Sequence, residues 1–290
     1  MTKAGAMINF DEIFPDNREE GNTPLRQCQL VMLRMFKIFD LLCRTHGVNY
    51  FLTGGSLIGA VRHNGFIPWD DDLDVGMTRE NYEFFVSKVV PELPYDIFFQ
   101  SDETDDHYPP GHFVEARLRD KYSSYTHFAQ PNNKWHEGFQ IDIFVYDRAF
   151  LPGNLFIICQ NMLLSLVGSN KRRGSILKWI AKKSPFKLVY ASSFLQNFGM
   201  RKFGTYITEQ EYSRLVRHKF EDAEASIPAG WDTYLRRQYG DYMKLPPEEK
   251  RVANHKVRPE PFKPCNHTQI LFWDDPVRLH KTMNINGNKP

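Results

Sequence analysis

Between Gly54 and Met77 the chain reads GGSLIGAVRHNGFIPWDDDLDVGM, with aspartate at four of the five positions 70–74, directly behind Trp69. Four ionised carboxylates within a few ångströms repel one another strongly, so a fold that gathers them must also bring something cationic to the same place. LDVGM, residues 73–77, has strand character. Asp72 and Asp74, two apart, are expected to point to one side of the sheet, as two oxygen ligands for a hard divalent ion would. Asp70 and Asp71 are then expected on the approach loop. Taken by itself, such a run also fits a solvated acidic turn.

Several familiar binding turns are excluded. An EF-hand needs Gly after its third ligand and Glu at its last position, but Val75 and Asn81 stand there. GGSLIG lacks the lysine of a P-loop, Ile58 occupies the second glycine position of a hydrolase elbow, and Ser56 breaks G-x-G-x-x-G. What remains is a strand over Val48–Thr53, a Gly54-Gly55-Ser56 turn and a short helix to His63, whose first amides can hold phosphate oxygens. Downstream, FQIDIF sets Asp142 in an apolar strand, where a carboxylate is costly unless paired, hydrogen-bonded or on a metal. In EARLRDK, Arg117 and Arg119 alternate on one strand face and Lys121 follows. They read either as solvent-facing cations or as a ladder for a polyphosphate.

Around these motifs, Thr23-Pro24 starts a helix whose apolar positions Leu25, Cys28, Met32, Met35, Phe36, Phe39 and Leu42 recur until Gly47 stops it. A second helix runs from about Arg79 to Val90 with Thr78 as its cap, and Val114–Arg119 and Phe139–Val145 read as strands. The expected class is α+β: a polar extension over 1–22, a mixed-sheet catalytic domain over 23–150, and a mainly helical part over 151–290 packed on it. Cys28, Cys43, Cys159 and Cys265 lack paired spacing, which suits reduced, buried thiols. Cys265 with His267 and His255 is a conceivable zinc corner without a second Cys-x-x-Cys. The polar start of the sequence has no signal-peptide core, and the run Leu155–Val167 is shorter than the roughly 20 apolar residues of a spanning helix, so a cytoplasmic location is expected.

Gly54-Gly55-Ser56, HNGFIPWDDDLDVGM, RLRDK, GFQIDIF and YGDYMKLPPEEKR (Tyr239–Arg251) follow one another in the order and spacing of the LicD family, which the chain resembles from about Leu25 to His255. The resemblance implies a nucleotidyltransferase-like fold of the polymerase-β type, with a Gly-Gly-Ser turn, an Asp-x-Asp pair and a third acid on a neighbouring strand. Carried over, these are Gly54, Gly55, Ser56, Asp72, Asp74 and Asp142. It also implies transfer of an alcohol phosphate, phosphocholine first among them, from a CDP-linked donor to a glycan hydroxyl, with release of CMP.

In that reading Asp72, Asp74 and Asp142 hold Mg2+ or Mn2+, and Asp142 also orients or deprotonates the acceptor hydroxyl. Arg117, Arg119 and Lys121 neutralise the leaving CMP, the Gly55 and Ser56 amides hold donor phosphate, and Arg62 and His63 reach phosphate from the same helix. Trp69, Tyr125 and Trp135 could cage a quaternary ammonium. Two rivals are a metal-dependent glycosyltransferase, which also uses Asp-x-Asp, and a catalytically inactive scaffold. The Gly-Gly-Ser turn and the distant third aspartate favour phosphoryl transfer.

From Arg148 to Thr208 there is no Asp or Glu, yet Arg148, Lys171, Arg172, Arg173, Lys178, Lys182, Lys183, Lys187, Arg201 and Lys202 fall there, interleaved with apolar stretches. Such a mixture suits helices lying in the interface of a membrane, on its inner face, beside a lipid-linked glycan acceptor. A helical subdomain with solvated charges is the alternative, and no nucleic-acid motif accompanies the charge. The protein is expected to pellet with anionic vesicles and come off at high salt, each basic residue contributing about 1 kcal/mol. Replacing Lys171, Arg172 and Arg173 by Glu should weaken pelleting, and equal failure to pellet with neutral and anionic vesicles would remove the membrane reading.

Overall fold

A computed structural model describes residues 9–109, 114–127, 134–148, 206–253 and 257–265, with isolated positions between 166 and 192. A single turn, α1 (Phe10–Ile13), precedes the long helix α2 (Pro24–His46). The expected ends of α2 are observed. The Thr23 hydroxyl accepts from the Arg26 amide at 3.1 Å, and Gly47 closes the helix at φ +68°, a left-handed conformation that favours glycine. Its apolar stripe is core, with Cys28, Met32, Phe36, Phe39 and Leu42 all buried.

Strand β1 (Phe51–Leu52) is shorter than the expected Val48–Thr53, and helix α3 (Gly54–His63) begins on the glycines themselves. Strand β2 (Asp74–Thr78) runs straight into α4 (Arg79–Lys88), capped by Thr78. Strands β3 (Ile97–Gln100), β4 (Ala116–Asp120), β5 (Ser124–His127) and β6 (Gln140–Arg148) follow. The part after residue 150 contributes β7 (Val189–Ser192), β8 (Tyr206–Thr208), the turn α5 (Glu209–Tyr212), the hairpin β9 (Leu215–Phe220) and β10 (Ala223–Pro228), helix α6 (Trp231–Tyr239) and β11 (Val257–Glu260). Where composition suggests a mainly helical part, the described residues are thus rich in strand. The reason is local: the alternation that makes β9 and β10 is short and polar, and pairing of one strand against the other supplies what the pattern does not.

The seven-stranded sheet is mixed, with β1-β2-β6-β4-β3 in order and β7 and β8 extending it from β6. β2 and β6 are parallel, while β6 pairs antiparallel with both β4 and β7. On one face Val75, Met77, Leu118, Ile141 and Ile143 are fully buried in the core that α2 covers. The opposite face carries Asp74 and Asp142. Tertiary ion pairs lock the periphery: Arg34 to Asp96 at 2.7 Å, Arg18 to Asp120 at 2.9 Å, and Arg79 to Asp147 and Glu115 at 2.9 and 2.6 Å. The β9–β10 turn clamps the loop after α3, since Glu221 accepts from the Phe66 amide at 3.1 Å and donates its own amide to the Asn64 carbonyl at 2.7 Å.

Gly138, just before β6, sits so close to β4 that a Cβ would overlap the Asp120 carbonyl oxygen, and its own carbonyl accepts from Arg119 at 2.7 Å. Gly138→Ala is therefore expected to destabilise the fold by about 1–3 kcal/mol, read as a lower urea midpoint at unchanged slope.

Candidate active site

Strand registry builds the site. Asp74 on β2 is the direct neighbour of Asp142 on β6, Asp142 of Arg117 on β4, and Arg117 of Gln100 on β3, so two acids and a guanidinium form a row across the sheet. Thr53, at the end of β1, extends the row by donating its amide to the Asp74 carbonyl at 3.2 Å. Arg117 Nε donates to Asp142 Oδ1 at 2.8 Å, both groups being buried. Burial by itself would lower the Arg117 pKa, but the charge and hydrogen bond of Asp142, with Tyr108 and Asp74, together outweigh it and hold the guanidinium above its ordinary value. The Tyr108 ring faces the guanidinium at 5.4 Å.

The other acids arrive by a loop whose backbone is held at successive residues. Gln29 Nε2 donates to the Asp70 carbonyl at 3.0 Å, the Tyr125 hydroxyl donates to the Asp71 carbonyl at 3.2 Å, and the Asp142 amide donates to the Leu73 carbonyl at 2.8 Å. With these carbonyls held by buried groups, Asp70, Asp71 and Asp72 converge so that one carboxylate oxygen from each lies within 4.8 Å of the others. Asp72 thus belongs to the loop cluster and is not on the strand with Asp74 as the alternation suggests, because β2 begins only at Asp74. The two groups still share one site. Burial first, then the charges of Asp72, Asp142 and Asp70, push the Asp74 carboxyl well above the ordinary carboxylate range.

The glycine pair explains itself at this point. A Cβ on Gly54, whose φ is +56°, would stand 2.7 Å from Asp74 Oδ2, and one on Gly55 would stand 2.7 Å from Asp70 Oδ2. Only hydrogen on these α-carbons lets both carboxylates reach the start of α3. The Ser56 hydroxyl accepts from the Asp74 amide at 2.8 Å, tying the turn to β2. A crowded set of carboxylates seated against a helix start, one of them, Asp74, with a raised proton affinity, is a donor set of hard oxygens that fits a divalent cation.

The remaining expected residues divide. Arg119 is buried against Gln100 Oε1 at 2.8 Å and the Gly138 carbonyl, and burial together with the Arg117 charge lowers it to about 10. It serves the protein interior and not an open phosphate ladder. Lys121 is buried just beyond β4, its amide donating to the Asp96 carbonyl at 3.0 Å. Arg62 and His63 occupy the far end of α3 from the glycines, with Arg62 Nη1 donating to the Tyr242 carbonyl at 2.6 Å. His63 and Arg62 are both lowered by burial, and Asp70 acts on Arg62 in the opposite sense. The three aromatics offered as a cage have separate surroundings. Trp69 meets His63 edge-on and carries Arg251 over its ring at 5.9 Å, Tyr125 is core, and Trp135 packs on Tyr108. Cys28, Cys43 and Cys265 are buried, whereas Cys159, His255 and His267 lie outside the described residues, as does most of the basic segment.

Sequence reasoning missed Gln29 and Thr53, which help to position the acids, singled out Tyr125 for a different role, and missed Tyr239. The phenol of Tyr239 is pushed up by desolvation at its hydroxyl and then by the charges of Asp74, Tyr146, Asp72 and Asp70, although 42% of the residue stays exposed. Tyr239 opens the YGDYMKLPPEEKR stretch, which spacing alone assigned no site residue.

A family model described as LicD/FKTN/FKRP, nucleotidyltransferase domain, matches residues 47–151, which include every acid of the site. The lipopolysaccharide cholinephosphotransferase LicD of Haemophilus influenzae is 30% identical over 267 residues, covering 80% of this chain and 96% of the relative. An uncharacterised Rickettsia prowazekii protein is 31% identical over 144 residues, 43% of this chain and 53% of its own length. The human ribitol 5-phosphate transferase FKRP is 57% identical over 35 residues, 12% of this chain and 7% of its own length.

Because the raised Asp74 carboxyl favours its protonated form, ionising it costs folding free energy as pH rises from the ordinary carboxylate range through its folded value. A cation relieves that cost. Magnesium is expected to raise the melting temperature near pH 7.5 and to do so less as pH falls toward the carboxylate range. Gly55→Ala, which pushes Asp70 off the helix start, should shrink the magnesium-dependent rise. An equal rise at all pH values in both proteins would show that the cation binds elsewhere.

Proposed function

The chain belongs to the LicD family of phosphotransferases, and we propose that it transfers an alcohol phosphate, phosphocholine first among the choices, from a CDP-linked donor to a glycan hydroxyl with release of CMP. The observation that carries this reading is the acid row Asp74–Asp142 meeting the Asp70–Asp72 loop at the Gly54-Gly55 helix start. Strand, glycine turn, helix, Asp pair and third acid on a parallel neighbour support a nucleotidyltransferase-like sheet of the polymerase-β type. Phosphocholine as the transferred group is supported by the name of the Haemophilus relative, and the ribitol phosphate transferase keeps ribitol phosphate as the second choice.

In this mechanism Asp72, Asp74 and Asp142, with Asp70 beside them, would hold Mg2+ or Mn2+, and the ion when bound would supply neutralisation of phosphate charge. The amides of Gly55 and Ser56 at the start of α3 bind donor phosphate oxygens. Arg117 fixes Asp142 through Oδ1, and the second oxygen of that carboxylate accepts the proton of the attacking hydroxyl. The hydroxyl oxygen bonds to the phosphorus that carries the alcohol, the bond from that phosphorus to the CMP oxygen breaks, and a phosphodiester results. Arg62 and His63, at the far end of α3, flank the approach to the site. The basic segment 148–208 would bring the enzyme to a membrane-proximal, lipid-linked glycan.

Incubation with CDP-choline, magnesium and a glycan acceptor should release CMP. A glycosyltransferase would instead release UDP from a nucleotide sugar, and a scaffold would release neither. Asp72→Asn, Asp74→Asn and Asp142→Asn should each remove on the order of several kcal/mol of transition-state stabilisation, about a hundredfold or more in rate, with circular dichroism unchanged. A chelator should silence the wild type, magnesium or manganese should restore it, and calcium should serve poorly. Near-normal activity in all three variants would sink the assignment.

A further inference from the structure

Helix α6 and the stretch after it lie outside the matched domain, yet they are tied to the site at three places. Near the start of the segment the Tyr234 hydroxyl, fully buried, meets the Thr53 hydroxyl at 2.9 Å and the Tyr146 hydroxyl at 3.4 Å. Thr53 is the residue immediately before Gly54 and is joined to Asp74 through the backbone. Eight residues after Tyr234, the Tyr242 carbonyl accepts from Arg62 Nη1 in the last turn of the same α3. At the end of the segment Arg251 lies over Trp69, the residue before the aspartates. The chain between Tyr234 and Tyr242 therefore passes alongside α3 from its glycine end to its far end. Tyr239 falls between the two anchors, a large aromatic left 42% exposed, with its hydroxyl near enough to Asp74, Asp72 and Asp70 for their charges to act on it.

We propose that Tyr239 is a further substrate-contacting residue, its hydroxyl donating a hydrogen bond to a phosphate oxygen of the donor diphosphate, so that segment 231–251 forms one wall of the site. This rests on the reading of the site as one for a nucleoside diphosphate compound. A phenol carries its proton at neutral pH and adds no negative charge to an already acidic site, so it suits donation to an anion there. Its partner is expected to be a phosphate and not the cation, which the carboxylates hold. Tyr234 is a positioning residue by contrast, since its hydroxyl is enclosed by Thr53 and Tyr146.

Tyr239→Phe keeps the ring and removes only the hydroxyl. With CDP as probe in the presence of magnesium, calorimetry should give a dissociation constant about tenfold weaker than wild type, the size expected for loss of one hydrogen bond to a charged group. The melting temperature with no additive, and its rise with magnesium alone, should stay as in wild type, which a structural role for the hydroxyl would not allow. CMP release from CDP-choline should fall by a similar factor. Wild-type CDP affinity in the variant would overturn the assignment, as would a loss of magnesium response. If the wild type binds CDP but releases no CMP, the transfer reading fails while the CDP comparison still decides Tyr239.

Discussion

Mutual repulsion among carboxylates is the constraint on which this molecule is organised. Asp70, Asp71, Asp72, Asp74 and Asp142 are brought together with little water around most of them, and Asp74 answers by holding its proton well above the ordinary range. Nothing in the hydrophobic core calls for such a cluster. It exists because strand registry and a tightly held loop force it, and it leaves a concentrated set of oxygen atoms whose repulsion a bound divalent cation would lower.

The scaffold meets that cost with fixed geometry and with charge. Arg117 pairs with Asp142 inside the sheet, and the Asp70, Asp71 and Leu73 carbonyls are each held by a buried donor, so the loop cannot relax outward. Removing Arg117 would leave a buried carboxylate uncompensated, which is far more damaging than the net worth of the pair. The glycines do the complementary work: by presenting no Cβ they let two carboxylates press against the amide end of α3. Helix start, loop and sheet thereby act on one small volume, the arrangement suited to holding a phosphate-bearing ligand and a cation side by side.

Much of the local structure was legible because it rests on near-neighbour physics. Thr23-Pro24 and Gly47 bound α2, Thr78 caps α4, and the apolar strands around Asp142 and Leu118 form within three residues of where their pattern puts them. The LicD resemblance was legible for the same reason, since its motifs are short and contiguous. The part after residue 150 was less so. Its described strands are short and partly polar, and they are strands because partners pair with them.

The sequence by itself determined which groups could do chemistry: an acid run, a Gly-Gly-Ser turn, a third aspartate in an apolar strand and a basic ladder. Tertiary structure alone decided how they combine. It put Asp72 with Asp70 and Asp71 in the loop, set Asp74 beside Asp142, joined Arg117 to the row and turned Arg119 to Gln100 and Gly138. It also drew Tyr234 to Thr53, the residue before the glycine turn, from a distant part of the chain. The physical reason is that side-chain type and spacing fix what a segment can bond to, whereas cross-strand registry and the closure of long loops fix what it does bond to, and neither is written in any one segment.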